Sequence, residues 1–189
     1  MKTILMILAL SAALVATAQN PINSFTLTDV VTGKTVSLDQ FSSSLALTII
    51  FTSNACPYDV HYADRLNELI TTYSGKIPFL LINAHPDPEE TPELMKVTAT
   101  GWAYSVPYLS DKDQLAMDAL DAKRSPEAFL LTHVNGAFVV SYSGAIDDSP
   151  QEPAAVTVRY LKDAIDALLA GKSTVATTVR AAGCSIRKK

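Results

Sequence analysis

The sequence has 189 residues, a formal net charge of −4 at pH 7 and a pI near 5.3. The only dense basic run is Arg187-Lys188-Lys189, so the charge pattern argues against a nucleic-acid partner. The two cysteines, Cys56 and Cys184, are too few for a disulfide scaffold. Together with the scattered histidines they make no four-ligand zinc pattern, and we predict no metal and no other cofactor.

The N-terminus has the layout of a secretory signal peptide. Lys2 precedes the apolar run 4–15 and the small-residue triplet Ala16-Thr17-Ala18, and we predict cleavage after Ala18. The apolar run is shorter than the about 20 residues that span a bilayer, and no cysteine follows it to accept a lipid. We therefore expect a periplasmic or secreted protein that does not interact with the membrane after cleavage, with a single domain over residues 19–189.

The first half of the mature chain contains strand patterns. Residues 25–28 and 35–38 alternate polar and apolar side chains around a turn, which predicts a hairpin at one edge of a sheet. The nearly continuous apolar run 45–51 is typical of a central strand buried on both faces. Residues 78–82 predict a second buried strand.

Helical spacing follows the central strand. Apolar residues recur at helical intervals from Tyr62 to Tyr73, which predicts a helix that ends near Gly75. Weaker helical patterns lie around residues 93–97 and 113–120, with a short strand predicted at 106–109 between them.

The second half of the chain closes the domain. Residues 128–132 and 137–143 flank Asn135-Gly136 and predict a second hairpin. Apolar spacing over 156–169 predicts a final helix capped by Gly171, followed by an extended tail from about residue 172. These elements predict an α/β domain with a mixed sheet and helices on both faces.

Cys56 stands where the central strand ends and its helix begins. Pro57 follows it, and proline is favoured at the first position of a helix, so Cys56 is the predicted N-cap. A thiolate at that position faces unpaired backbone N–H groups and the positive end of the helix dipole, which both favour the charged form. We interpret Cys56 as a reactive cysteine. The alternative is a buried, inert small side chain.

Four short blocks of the sequence resemble a known family. They are Cys56-Pro57-Tyr58, Ser125-Pro126-Glu127, Gly144-Ala-Ile-Asp-Asp148 and Gly183-Cys184-Ser185-Ile186. They are similar to thioredoxin-like redoxins of the alkyl hydroperoxide reductase and thiol-specific antioxidant superfamily, and more narrowly to an Asn-His-Cys-Pro-type branch with a C-terminal Gly-Cys. The resemblance covers about residues 22–186. It implies a thioredoxin-like fold with an N-terminal β-hairpin.

The cysteine motif departs from that branch, which usually has Cys-x-x-Cys. Ser53 occupies the first position, so no local dithiol can form. Ser53-x-x-Cys56 resembles a peroxiredoxin site, whereas Cys56-x-x-Asp59 resembles a glutaredoxin site whose second cysteine is replaced. Both registers make Cys56 the nucleophile. A peroxiredoxin would also have proline where this chain has Ile49.

The resemblance implies roles for residues around Cys56. Pro126 is expected to be a cis-proline packed against the Cys56 loop, where Pro57 and the Ser125 backbone would contact an extended substrate. Arg124 could stabilise the Cys56 thiolate or a peroxide oxygen. Its alternative is a solvated surface arginine.

Cys184 has three possible roles. It could resolve a sulfenic acid or mixed disulfide on Cys56, form a permanent structural bridge, or form an intermolecular bond. The first role predicts an oxidoreductase or antioxidant enzyme that acts on disulfides or hydroperoxides and takes electrons from a partner thiol protein. The alternative is a non-catalytic binding module with a structural Cys56–Cys184 disulfide, which the loss of cysteine at Ser53 suggests.

Other polar residues are weaker candidates. His61 and His85 could act as an acid or base near the thiol, although a helix-face or surface-loop histidine is the commoner case. An acidic cluster could bind a cation or form a solvated surface around a helix start. Its members are Asp87, Glu89, Glu90 and Glu93.

Overall fold

The structure, a computed structural model, describes residues 20–103, 105–172 and 176–189, and the predicted signal peptide lies outside the described residues. The strands are β1 (Thr26–Asp29), β2 (Thr35–Ser37), β3 (Ala46–Phe51), β4 (Phe79–Asn83), β5 (Tyr108–Ser110), β6 (Arg124–Ser125), β7 (Glu127–Val134), β8 (Ala137–Gly144), β9 (Thr177–Val179) and β10 (Cys184–Ser185). The α-helices are α1 (Pro57–Tyr73), α2 (Pro92–Thr100), α3 (Leu115–Leu120) and α4 (Tyr160–Leu169). None of the helices in the described ranges is long and apolar enough to cross a membrane.

Eight strands form one mixed sheet in the order β2-β1-β5-β4-β3-β7-β8-β9. Strand β3 pairs in parallel with β4 and antiparallel with β7, and all six of its residues are buried. The predicted central strand is therefore confirmed. The predicted N-terminal hairpin also forms, and β2 lies at the edge of the sheet.

The core lies on both faces of this sheet. Ala46 and Ile50 of β3 pack into an apolar cluster that also contains residues of α1, α2 and α4. Leu47, Ile49 and Phe51 pack into a second cluster with residues of α3. Because alternate side chains of a strand point to opposite faces, one apolar strand contributes to both clusters. The predicted helices on both faces of a mixed sheet are confirmed.

The last helix begins later than its apolar spacing predicts. It starts at Tyr160, four residues after Val156. A short 3₁₀ turn spans Pro153–Ala155, and Thr157 is bound to Asp148 through both its backbone N–H, at 2.9 Å, and its hydroxyl. These bonds hold the segment before Tyr160 outside the helix.

The tail after α4 is extended where it is described, as predicted, but it also joins the sheets. Strand β9 pairs in parallel with β8, and the N–H of Ala145 donates to the carbonyl of Val179 at 3.0 Å. Gly144 makes this approach possible, since its φ is +120° and a Cβ atom there would lie 1.6 Å from the Val179 carbonyl oxygen. Beyond β9, β10 pairs antiparallel with β6 and brings Cys184 to Ser125.

Candidate active site

Cys56 is the N-cap of α1, as the sequence predicts. Its backbone is extended, Pro57 is the first helical residue, and β3 ends at Phe51, five residues earlier. The sulfur therefore lies beside the first turn of a 17-residue helix, whose N–H groups and dipole favour a negative charge. The residue is only 3% exposed.

Cys56 and Cys184 form an intrachain disulfide. Their Cα atoms are 5.9 Å apart across a sequence separation of 128 residues. The Cys56 Sγ atom also lies 3.4 Å from the carbonyl oxygen of Ser125, the residue that pairs with Cys184 in the small β6–β10 sheet. The structure therefore contains a bond within the chain, which both the resolving role and the structural role of Cys184 require.

Ser53 shapes the loop that carries Cys56. Its hydroxyl oxygen accepts hydrogen bonds from the N–H groups of Ala55 at 3.1 Å and Cys56 at 3.0 Å, and it donates to Glu90 at 2.5 Å. The side chain is thus held by backbone groups of the loop and by a buried carboxylate. Ser53 is therefore a turn residue that positions Cys56.

Glu90 is the anchor of the same loop. Its carboxylate accepts hydrogen bonds from four donors, namely the Ser53 hydroxyl, the N–H groups of Asn54 and Ala55, and the Asn83 amide. The residue is 4% exposed, so the interpretation of the acidic cluster as a solvated surface is wrong for Glu90. The local sequence gives no sign of this burial, because its partners are up to 37 positions away.

The rest of the acidic cluster is dispersed. Glu89 and Glu93 are exposed, and Asp87 forms an ion pair with Arg187 of the tail. Across residues 20–103, 105–172 and 176–189, no group of three or more His, Cys, Asp or Glu side chains is arranged to hold a metal ion.

Replacing Glu90 by glutamine is expected to lower the free energy of unfolding by about 3 kcal/mol, because an NH₂ group would then face donors in a buried site. Urea unfolding of the oxidised protein measures this difference. Glu89→Gln, at the exposed neighbouring carboxylate, is the matched control and should change stability by less than about 0.5 kcal/mol. Equal effects of the two substitutions would contradict the assigned role of Glu90.

Ser125, Pro126 and His85 lie together at the end of the sheet. The Ser125–Pro126 peptide bond is cis, as the family resemblance implies, and both residues are buried. His85 follows β4, which is parallel to β3, and its Nε2 atom lies 2.8 Å from the Ser125 hydroxyl. Burial lowers the pKa of His85 below its ordinary value, which favours the uncharged ring. The other candidate, His61, is exposed on α1.

Arg124 contacts the tail. Its Nη1 atom donates to the carbonyl oxygen of Gly183 at 2.9 Å, and the side chain is half-buried. The interpretation of Arg124 as a solvated surface residue is therefore wrong. In the oxidised state its guanidinium binds Gly183, the residue next to Cys184.

Asp59 is a buried carboxyl group one helical turn after Cys56. It is 7% exposed, and the Thr52 hydroxyl donates to its Oδ1 atom at 2.7 Å. Among the residues that the structure describes, its Oδ2 atom has no hydrogen-bond partner. Burial raises the pKa of Asp59 to about 7 and outweighs the hydrogen bond from Thr52, which lowers it. The sequence indicates Asp59 only as the position of a replaced cysteine, because aspartate side chains are mostly exposed and nothing in the local pattern predicts burial.

The block from Gly144 to Asp148 ties α1 to the end of β8. Asp147 accepts a hydrogen bond from the Tyr62 hydroxyl at 2.8 Å and forms a salt bridge with Arg65 at 2.6 Å. Both partners belong to α1, so this block fixes the helix that begins at Cys56.

Two solved structures are similar to the chain over most of its length. A hypothetical protein from Sinorhizobium meliloti 1021 is 32% identical, with 90% of this chain and 94% of that chain covered and a TM-score of 0.79. An uncharacterized conserved protein from Geobacillus kaustophilus is also 32% identical, with 90% and 92% covered and a TM-score of 0.81. The chain belongs to the same family as these two bacterial proteins. No family model matches it, and neither does any curated protein.

More distant structures identify the fold of this family. A candidate thiol:disulfide interchange protein, DsbE, from Chlorobium tepidum is 18% identical, with 80% of this chain and 96% of that chain covered and a TM-score of 0.58. A thioredoxin-like protein in its oxidised form is 17% identical, with 69% and 81% covered and a TM-score of 0.54. The predicted thioredoxin-like fold is confirmed.

Proposed function

We propose that the protein is a thiol–disulfide oxidoreductase whose redox couple is the Cys56–Cys184 disulfide. The observation that carries this proposal is the position of the bridge: it joins the N-cap of α1 to a tail strand that pairs at Ser125. A thiolate stabilised at a helix N-terminus is both a nucleophile and a good leaving group, which a redox-active disulfide requires.

The catalytic cycle starts from the reduced protein. The Cys56 thiolate attacks one sulfur of a substrate disulfide, and the other substrate sulfur leaves as a thiolate. The Cys184 thiolate then attacks Cys56 Sγ in the mixed disulfide, releases the second substrate thiolate and forms the Cys56–Cys184 bond. Two electrons pass to the substrate, and a partner thiol protein returns two electrons to the pair. The cycle uses no cofactor.

Asp59 supplies a proton acceptor for this cycle. Its pKa of about 7 means that it exchanges a proton near neutral pH, and it lies one helical turn from Cys56. Its carboxylate takes the proton when the Cys56 thiol becomes a thiolate. Once the tail has left, Ser125, Pro126 and Pro57 are the residues near the sulfur that a substrate would contact.

Hydroperoxides are the less favoured substrate. Their reduction would convert the Cys56 thiolate to a sulfenic acid, which Cys184 would condense to the disulfide with loss of water. Arg124, the residue expected to stabilise a peroxide oxygen, donates in the oxidised state to a main-chain carbonyl, that of Gly183 in the tail. The paired tail strand supports an extended polypeptide substrate, so we place disulfides first.

The burial of Cys56 favours a second candidate function. At 3% exposure the sulfur is covered in the oxidised state, which also suits a thioredoxin-fold binding module with a structural bridge. The two functions differ in what happens on reduction: an oxidoreductase releases its tail and exposes Cys56, whereas a binding module keeps a bridge that cellular thiols do not reduce.

Turnover assays test the proposed function. With a regenerating thiol, the purified protein is expected to reduce a protein disulfide such as that of insulin faster than it reduces hydrogen peroxide at equal concentration. Faster turnover of the peroxide would show that the substrate is a hydroperoxide and not a disulfide. No turnover of either substrate would leave the binding module as the function.

We also propose that the protein is exported. The signal-peptide pattern at 1–18 and the oxidised pair both fit a compartment in which disulfides persist. Fractionation of cells that express the full chain, with N-terminal sequencing of the product, would locate it and give the cleavage site.

A further inference from the structure

The tail ends as an extended strand in a groove beside Cys56. We call the backbone of Lys123, Arg124 and Ser125, together with the Gln114 side chain, the tail groove. Cys184 pairs with Ser125 in antiparallel register, and the N–H of Ile186 donates to the carbonyl of Lys123 at 2.9 Å. The pairing therefore continues from the cysteine toward the C-terminus.

Gln114 extends this recognition toward the C-terminus. Its side-chain amide donates to the Arg187 carbonyl at 2.7 Å and accepts from the Lys189 N–H at 3.0 Å, while the same amide nitrogen lies 3.1 Å from the Ala84 carbonyl. All of these tail contacts are to main-chain atoms. Any extended peptide offers the same atoms, so the contacts are independent of the peptide's sequence.

Two positions of the tail do restrict which residue the groove accepts. A Cβ atom on Gly183 would lie 2.2 Å from the Ser125 carbonyl oxygen, so the groove accepts only glycine immediately before the cysteine. Ile186 is 8% exposed and packs into the apolar cluster on the α3 side of the sheet. Ser185 lies between them and is exposed, so that position is not selected.

The end of the tail adds a preference for positive charge. Arg187 forms an ion pair with Asp87, and the Nζ atom of Lys188 lies 3.0 Å from the Oδ1 atom of Asp118. All but Asp87 of these side chains are largely exposed, so the pairs contribute modestly and weaken in salt. The pattern that fits the groove is therefore Gly-Cys-x-apolar-basic.

From these contacts we propose that the tail is an internal copy of the protein's substrate: after reduction, the tail groove binds extended cysteine peptides of other proteins with the pattern Gly-Cys-x-apolar-basic. This inference rests on the proposed function and names its substrate class. In the oxidised state the tail fills the groove, so only the reduced protein binds such a peptide. The peptide's disulfide then reacts with the Cys56 thiolate, which forms a Cys56–peptide disulfide and releases the other sulfur as a thiolate.

Full-length variants with a single cysteine test this specificity. Cys184→Ser keeps the tail in competition for the groove, and Gly183→Val with Cys184→Ser displaces it by the clash with Ser125. Each reduced protein is mixed with the peptide Ala-Gly-Cys-Ser-Ile-Arg, whose cysteine is disulfide-bonded to thionitrobenzoate, and release of the coloured thiolate gives the rate. Two altered peptides carry valine in place of glycine or aspartate in place of isoleucine.

The variant with both Gly183→Val and Cys184→Ser is expected to react roughly tenfold or more faster with the original peptide than with either altered peptide. It should also react faster with that peptide than Cys184→Ser does, because its own tail no longer competes. Ile186→Asp with Cys184→Ser is a second way to displace the tail and should give the same order of rates.

A small symmetric disulfide, dithiobis(nitrobenzoate), separates the two ways in which the proposal can fail. If it reacts rapidly with the double variant while all three peptides react at one rate, the groove has no specificity and the inference is overturned, with the proposed function intact. If Cys56 reacts with none of the reagents in the folded protein, the proposed function fails as well.

Discussion

Cys56→Ser is expected to reduce disulfide turnover to the background rate of the regenerating thiol alone. In the proposed cycle only the sulfur at the N-terminus of α1 attacks the substrate, and serine at that position is not a nucleophile near neutral pH. The insulin assay with a regenerating thiol measures the loss. A rate equal to that of the wild type would contradict the cycle.

Cys184→Ser is expected to separate the two halves of the cycle. Cys56 still attacks the substrate, so one equivalent of substrate thiolate is released per protein. The mixed disulfide then persists, because the second thiol is missing, and mass spectrometry should detect it on Cys56. Ser185→Ala changes the exposed neighbour of Cys184 and is the matched control, with turnover unchanged. Undiminished multiple turnover in Cys184→Ser would exclude Cys184 as the resolving thiol.

Asp59→Asn is expected to remove a pH-dependent loss of stability. The pKa of Asp59 is raised to about 7 in the folded protein, above its value of about 3.9 in an unfolded chain, so the native state binds this proton more tightly. The contribution of Asp59 to stability is complete below about pH 4 and is lost as the pH rises to about 7. Asparagine does not titrate, so the variant should gain on the order of 4 kcal/mol relative to the wild type between these pH values.

Urea unfolding of both proteins across that pH range measures the gain. Asp64→Asn, at an exposed position of α1, is the matched control and should change the free energy of unfolding by less than about 0.5 kcal/mol. The same substitution at Asp59 should also remove a step near pH 7 from the rate at which reduced Cys56 reacts with iodoacetamide. A stability difference that is constant with pH would show that Asp59 titrates as an ordinary carboxyl group.

Much of the sheet could be predicted because its signals are local. The apolar run of β3 and the Asn135-Gly136 turn each specify their structure within a few residues, and the structure contains both. The position of Cys56 at the start of α1 followed in the same way, from a strand pattern, a proline and a helical pattern in succession.

The remaining parts of the site depend on contacts between distant segments. Nothing near Glu90 indicates that it reaches back to Ser53, and the spacing of Asp59 from Cys56 does not indicate that its carboxyl group is buried and bound by Thr52. The pairing of Cys184 with Ser125 joins segments 59 residues apart, and it depends on a glycine whose contact with the Ser125 carbonyl exists only in the folded chain.

The equilibrium reduction potential of the Cys56–Cys184 pair tests the redox role most directly. The oxidised protein is equilibrated with thiol buffers of known potential, and the reduced fraction is counted by alkylation and mass spectrometry. Stabilisation of the Cys56 thiolate by α1 predicts a potential between about −270 and −120 mV, the range of catalytic dithiol proteins. A potential below about −300 mV, typical of structural disulfides, would contradict the proposed function.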